Sequence, residues 1–320
     1  MTNTTADNRQ TRAPASGRVP DMTVTAVPAP PVTNRFLVPA AAAVTVVLWA
    51  SAFIGIRSAG VDYSPGALTL GRILVGTVAL TVMAALARKL RLPRGRTLVG
   101  IIVWGVLWFG LYNLALNAAE RTLDAGTASL LVGLAPILIA VFAGISLGEG
   151  FPARLLLGIG IAFAGVAGIA LASSSGASDA VSVVLGLAAA VVYAGSTILQ
   201  KRLLPTVDSL TMTWLGCAAG TVACLPFAPA LLDELAAAPT SATLSVVYLG
   251  VFPTAIAFAT WGFALTRTTA GRLGAATYAA PPLAVLMSWA LLDEIPAPVA
   301  LVGGALCLAG VLVATLRLRS

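Results

Sequence analysis

Arg72 is the one charged side chain well inside an apolar run, about seven residues past Pro65 and so roughly 10 Å along a helix. An arginine at that depth costs ~2.5–3.5 kcal/mol even on a lenient insertion scale. The chemistry it offers in return is a fixed cation for a carboxylate or another anionic group. The alternative is a side chain that snorkels to the interface or braces neighbouring carbonyls. Trp49, Tyr112, Asn113, Tyr193, Trp214, Trp261 and Tyr278 add aromatic faces and an amide within other apolar runs. A pocket for small amphipathic molecules is walled in this way, although Trp and Tyr also serve as anchors at membrane interfaces. Pro136, Pro281 and Pro282 fall inside apolar runs too. There they free backbone carbonyls, and they are candidate hinges or static kinks.

Catalytic chemistry finds little to work with. The chain has no histidine, which removes Ser/His/Asp and Cys/His nucleophiles and His-rich metal sites. No carboxylate sits in the middle of an apolar run, so acid–base catalysis and proton carriage by a buried acid lack a candidate. Facilitated movement or exchange of a solute is therefore favoured over proton coupling. Cys217, Cys224 and Cys307 lie in apolar runs with no CxxC pairing and are expected as core residues. No catalytic residue, metal or cofactor is expected.

The elements that must position these residues are membrane spans. Hydrophobic residues make up 58% of the 320 and charged residues 10%, against about 25% charged in soluble domains. Residues 1–35 are rich in Thr, Ala, Pro and Arg without helical periodicity and are expected to be a disordered tail. From residue 36 onward, ten spans of about 20 residues with short loops account for the chain. Sixteen of its 19 Lys and Arg fall on the cytoplasmic side when both termini are cytoplasmic, as the positive-inside rule requires. The net charge of +7 thus reports topology, not a nucleic-acid surface. The expected partners are a small-molecule substrate and membrane lipids. The cluster Arg88, Lys89, Arg91, Arg94 and Arg96 suits lipid headgroups.

A repeat organises the spans. Ala125, Gly126, Pro136, Glu149, Gly158, Gly165 and Val166 recur 145 residues later as Ala270, Gly271, Pro281, Glu294, Gly303, Gly310 and Val311. Five spans followed by their copy must enter the membrane from the opposite side, so the halves, 36–172 and 180–316, are inverted. The fold class expected is all-α: ten transmembrane helices in two inverted five-helix repeats. The repeated glycines, with Gly160, Gly168 and Gly304, permit close helix approach within the chain; a homodimer contact is the alternative use.

Trp49-Ala50-Ser51-Ala52-Phe53, Pro65 with Arg72, Tyr112-Asn113-Leu114-Ala115-Leu116, Ala125 to Pro136 with Leu147-Gly148-Glu149, and Gly271 through Pro281-Pro282 to Asp293-Glu294 follow one another in a pattern. In order and duplication they resemble the EamA-like family of the drug/metabolite transporter superfamily, over about residues 36–316. The resemblance implies a central cavity and export or exchange of small metabolites such as amino acids across the cytoplasmic membrane. A drug or cation exporter, and a scaffold or sensor that moves nothing, are the competing functions; an enzyme is not expected.

Overall fold

The computed structural model describes residues 1–2, 32–147, 153–172, 177–268, 273 and 276–315. Residues 3–31 of the expected tail, the repeat residues Glu149, Ala270 and Gly271, and Arg272, Arg317 and Arg319 lie outside the described residues, while residues 32–35, expected in the tail, belong to the first helix. Among the described residues every regular element is a helix. The first half of the chain holds α1 (Val32–Ala59), α2 (Pro65–Leu86), α3 (Arg96–Gly105), α4 (Asn113–Ala119), α5 (Ala125–Val132), α6 (Ala135–Leu147) and α7 (Ala153–Ala172). The second half holds α8 (Ala177–Leu203), α9 (Ser209–Cys224), α10 (Ala228–Ala237), α11 (Thr240–Leu249), α12 (Ala257–Leu265), α13 (Ala280–Leu292) and α14 (Pro298–Thr315).

Among the described residues six continuous helical stretches are long and apolar enough to cross a membrane: Phe36–Ala59, Pro65–Leu86, Arg96–Ala119, Ala180–Thr206, Ser209–Ala237 and Thr240–Leu265. Four further apolar helical runs cover Ala125–Ile139, Leu156–Gly165, Thr277–Leu292 and Pro298–Gly310. Two of these runs carry a break in the α-helix. Gly133 and Leu134 separate α5 from α6, while a 3-10 turn over Thr277–Ala279 precedes α13. Pro136 and the pair Pro281-Pro282 thus stand in the first turn of a new helix, where their missing amides cost nothing. They mark breaks instead of bending a continuous rod. The breaks meet, since a side chain on Gly133 would come within 3.0 Å of the Pro281 ring.

Two long stretches each contain a π-helical segment, Val106–Tyr112 between α3 and α4 and Gly250–Ile256 between α11 and α12. Wide turns of this kind leave carbonyls without their usual donors, and side chains fill in. Asn113 Nδ2 donates to the Trp108 and Phe109 carbonyls at 3.1 and 2.9 Å, and Thr254 Oγ1 donates to Leu249 O at 2.8 Å.

The halves interlock. In the first half α1 packs on α11, α12 and α13, α2 on α9 and the second π segment, and α4 on α8. Glycines set the closest approaches. A Cβ on Gly165 would lie 2.7 Å from Cys307 N and one on Gly310 would lie 2.6 Å from Ala162 N. Gly165 lies against Gly303 and Gly310 against Gly158, so the α7–α14 contact is reciprocal under the 145-residue offset. Gly160 faces open space and takes no part in it.

At one end of the helices, Asp208 caps α9 by accepting from the amides of Leu210 and Thr211 at 3.1 and 3.3 Å, and it pairs with Lys89. Partial burial pushes the Asp208 carboxyl up, but the Lys89 ammonium and the two amides outweigh it and hold the group below its ordinary value. A depressed carboxylate contributes stability above its unfolded-state pKa and loses it as pH falls through the folded value. Asp208→Ala is expected to cost about 1 kcal/mol, the usual worth of an N-cap. Lys89→Ala should cost less, because the pair is exposed. Thermal unfolding in detergent at neutral and acid pH checks both, with the Asp208 deficit shrinking in acid.

Candidate functional site

The site begins at Arg72. Helix α2 starts on a Ser64 cap with Pro65 in its first turn, and two turns later Arg72 is turned inward with only 4% of its surface exposed. Its Nη2 donates to Thr254 Oγ1 at 3.3 Å, on the second π segment. The other two guanidinium nitrogens, Nε and Nη1, are buried without a hydrogen-bond partner. Five donors in a rigid fork are thus held on one tether, and Arg72 is among the residues that line a cavity of about 60 Å³.

Helix breaks and π segments shape that cavity. Asn113 and Tyr112 enter from the end of the first π segment, Gly133 and Pro136 from the α5–α6 break, and Thr277, Ala280 and Pro281 from the break before α13. Irregular backbone inside a membrane protein is tolerated where it lines a cavity. The aromatic side is centred on Tyr193 of α8, whose ring lies 6.1 Å from Trp49, 5.3 Å from Trp108 and 6.1 Å from Tyr112. Phe258 closes it at 5.3 Å from both Trp49 and Trp108. The Tyr193 side chain also hydrogen-bonds Thr277, which ties α8 to the second break.

Arg72, Trp49, Tyr112, Asn113 and Tyr193 therefore stand around one space, with Pro136 and Pro281 at its edge. Trp214, Trp261, Tyr278 and Pro282 are not among its lining residues. Trp214 Nε1 donates to Thr81 Oγ1 at 2.8 Å, joining α9 to α2. Trp261 is buried behind Trp49 at 5.0 Å and donates to Gln200 Oε1 at 3.2 Å. Tyr278 packs against the core next to the 3-10 turn, and Pro282 is exposed.

Sequence reasoning missed Trp108, Phe258, Ser129 and Thr277 of the wall. It also missed Glu120, which follows the end of α4 yet is 3% exposed. At the same end Arg57 Nε meets Glu294 Oε1 at 2.8 Å and Arg57 Nη1 donates to the Glu120 carbonyl at 3.1 Å. One guanidinium thus gathers the ends of α1, α4 and α13.

A model of the EamA-like transporter family matches residues 38–171 and again residues 180–316. The chain belongs to this family. It is accordingly a multi-pass membrane transporter with a small-molecule substrate. A probable terminal-alkyne amino-acid exporter of Streptantibioticus cattleyicolor is 40% identical to this EamA-like transporter, over 85% of this chain and 91% of that protein. An aromatic amino acid exporter of Ancylobacter novellus, YddG, is 27% identical over 86% of this chain and 95% of its own length. A solved crystal structure shares the fold with a TM-score of 0.62 at 24% identity, over 88% of this chain and 98% of that one.

Proposed function

We propose that this EamA-like transporter exports amino acids by alternating access, rocking two inverted five-helix repeats, 36–172 and 180–316, about the Arg72 cavity. The observation that carries the reading is the buried Arg72 fork, with two unpartnered nitrogens, set beside a wall of aromatic rings. A substrate carboxylate takes the fork through charge-assisted hydrogen bonds. The substrate ammonium lies over Tyr112, Tyr193 and Trp49, whose faces attract cations. Asn113 helps it, because both its Nδ2 hydrogens are spent on backbone and its carboxamide oxygen remains an acceptor. An apolar or unsaturated side chain fits the remaining aromatic surface.

The family model's double match, the reciprocal glycine contacts of α7 and α14, and the breaks at Pro136 and Pro281 support the two-repeat architecture. The cavity has room for roughly four waters, so a larger occupant requires the walls to part. The two breaks, in contact at Gly133 and Pro281, are where bending costs least. On this reading the protein sits in the cytoplasmic membrane with both termini inside, its exposed apolar faces against lipid, and needs neither metal nor cofactor.

Reconstituted vesicles test the substrate class. Saturable transport is expected for L-phenylalanine and L-propargylglycine, and at least ~10-fold less for phenethylamine, which lacks the carboxylate worth about 1.5–3 kcal/mol on a charged donor. Tetraphenylphosphonium should show no saturable movement beyond that into protein-free vesicles. Equal transport of phenethylamine or the phosphonium would sink the amino-acid reading in favour of a cation exporter.

A further inference from the structure

A polar seam leads away from the cavity. Asn113, Asn117 and Glu120 follow one another at spacings of four and three residues and so lie on one face of the helix. Thr69 and Arg72 are spaced three apart on α2. Asn117 Nδ2 donates to Thr69 Oγ1 at 2.8 Å and joins the two faces. Beyond that bond the seam is unsatisfied: Asn117 Oδ1 and both Glu120 carboxyl oxygens are buried with no hydrogen-bond partner.

The charges that act on Glu120 come from four neighbouring elements: Arg72 on α2, Arg57 near the end of α1, Glu294 after α13 and Asp124 before α5. Tyr112, on the stretch that leads into α4, shares this field. Three of the neighbours are already engaged. Arg57 pairs with Glu294 at 2.8 Å, and Asp124 caps α5 through Thr127 at 2.8 and 2.7 Å. Glu120 and Arg72 are left as an acid and a cation that act on each other through space without an ion pair.

Burial pushes the Glu120 carboxyl well above its ordinary value; Arg72 and Arg57 oppose that, and Glu294 and Asp124 reinforce it. A carboxylate ligand on Arg72 cancels the main cation that favours the ionised acid. Linkage makes the effect reciprocal, so protonation of Glu120 strengthens the hold of Arg72 on the ligand.

We propose that Glu120 is a proton-binding site coupled to the cavity, taking up one proton when a carboxylate occupies Arg72. The step forms one O–H bond on a Glu120 oxygen, with the proton drawn from water, and breaks it again when the carboxylate leaves. Ligand and proton together bring the charge of an ammonium ion alone into the seam. The proton site stands on the geometry of the seam, while its coupling rests on the reading of Arg72 as a carboxylate anchor.

Infrared titration of the purified full-length chain in lipid nanodiscs separates the two. A protonated-carboxyl band is expected that vanishes in Glu120→Gln, with a midpoint that rises by about one pH unit or more in Arg72→Gln. Persistence of the band in Glu120→Gln, or an unmoved midpoint in Arg72→Gln, overturns the proposal. Adding L-phenylalanine to the wild type in dilute buffer should take up about one proton per ligand bound, and none in Glu120→Gln. Binding without proton uptake removes the coupling. Absence of L-phenylalanine binding refutes the substrate reading while the titration still decides the proton site. Should Glu120→Gln fail to fold, carbodiimide labelling of the wild type mapped by mass spectrometry replaces it, and an unlabelled Glu120 counts against the site.

Discussion

Arg72→Gln is expected to lower transport of L-phenylalanine at least ~10-fold and up to ~100-fold, the range that corresponds to losing a charge-assisted hydrogen bond of about 1.5–3 kcal/mol. The chain should remain folded. Arg72 makes one neutral hydrogen bond, to Thr254, and leaves two nitrogens unpaired in the interior, so the native state gains little from its charge. Removing a buried, poorly compensated cation is neutral or mildly stabilising. The measurement is therefore double: transport in vesicles must collapse while the unfolding midpoint in detergent holds or rises. Arg72→Lys sharpens the test, because a single ammonium cannot reproduce the fork and only partial recovery is expected. Unchanged transport in Arg72→Gln would remove the residue from the site.

The second large effect is structural. Gly105→Ala is expected to destabilise the chain by about 3 kcal/mol or more, the upper end for overpacking. The added Cβ would lie 2.6 Å from Gly216 Cα, against main chain that cannot swing aside. Helix α3 and helix α9 meet there, and Gly216 in turn receives the Trp104 ring. Relief requires one helix to move, which drags the first π segment and with it Tyr112 and Asn113. Gly160→Ala is the control: it has open space and gains up to ~1 kcal/mol of helix propensity. Thermal unfolding and the monodisperse fraction after extraction should separate the two variants clearly; similar midpoints would refute the close-contact account.

What could be read in the sequence followed physical regularities that survive without coordinates. Apolar run length and the 145-residue offset pointed to a helical membrane protein, and the isolated charge at Arg72 marked a residue that the structure places at the cavity. Trp108 stands in the wall four residues before Tyr112 and four more before Leu116, but an indole at that spacing reads equally well as core packing. At Gly133 and Thr277–Ala279 the α-helix is interrupted, and the neighbouring prolines alone do not tell such a break from a kink in a continuous helix. Trp214 and Trp261 show the converse limit: an aromatic ring in an apolar run says that a partner exists, not that it is a ligand. Their indole nitrogens reach Thr81 and Gln200. Glu120 escaped notice because a carboxyl just past a helix end is ordinarily wet, and only tertiary packing reveals that this one is dry.

The crossing of α7 over α14 is main chain against main chain at Gly158, Gly165, Gly303 and Gly310. A methyl group at Gly165 or Gly310 meets main chain of the opposite rod, so neither can be thickened there without prising the pair apart.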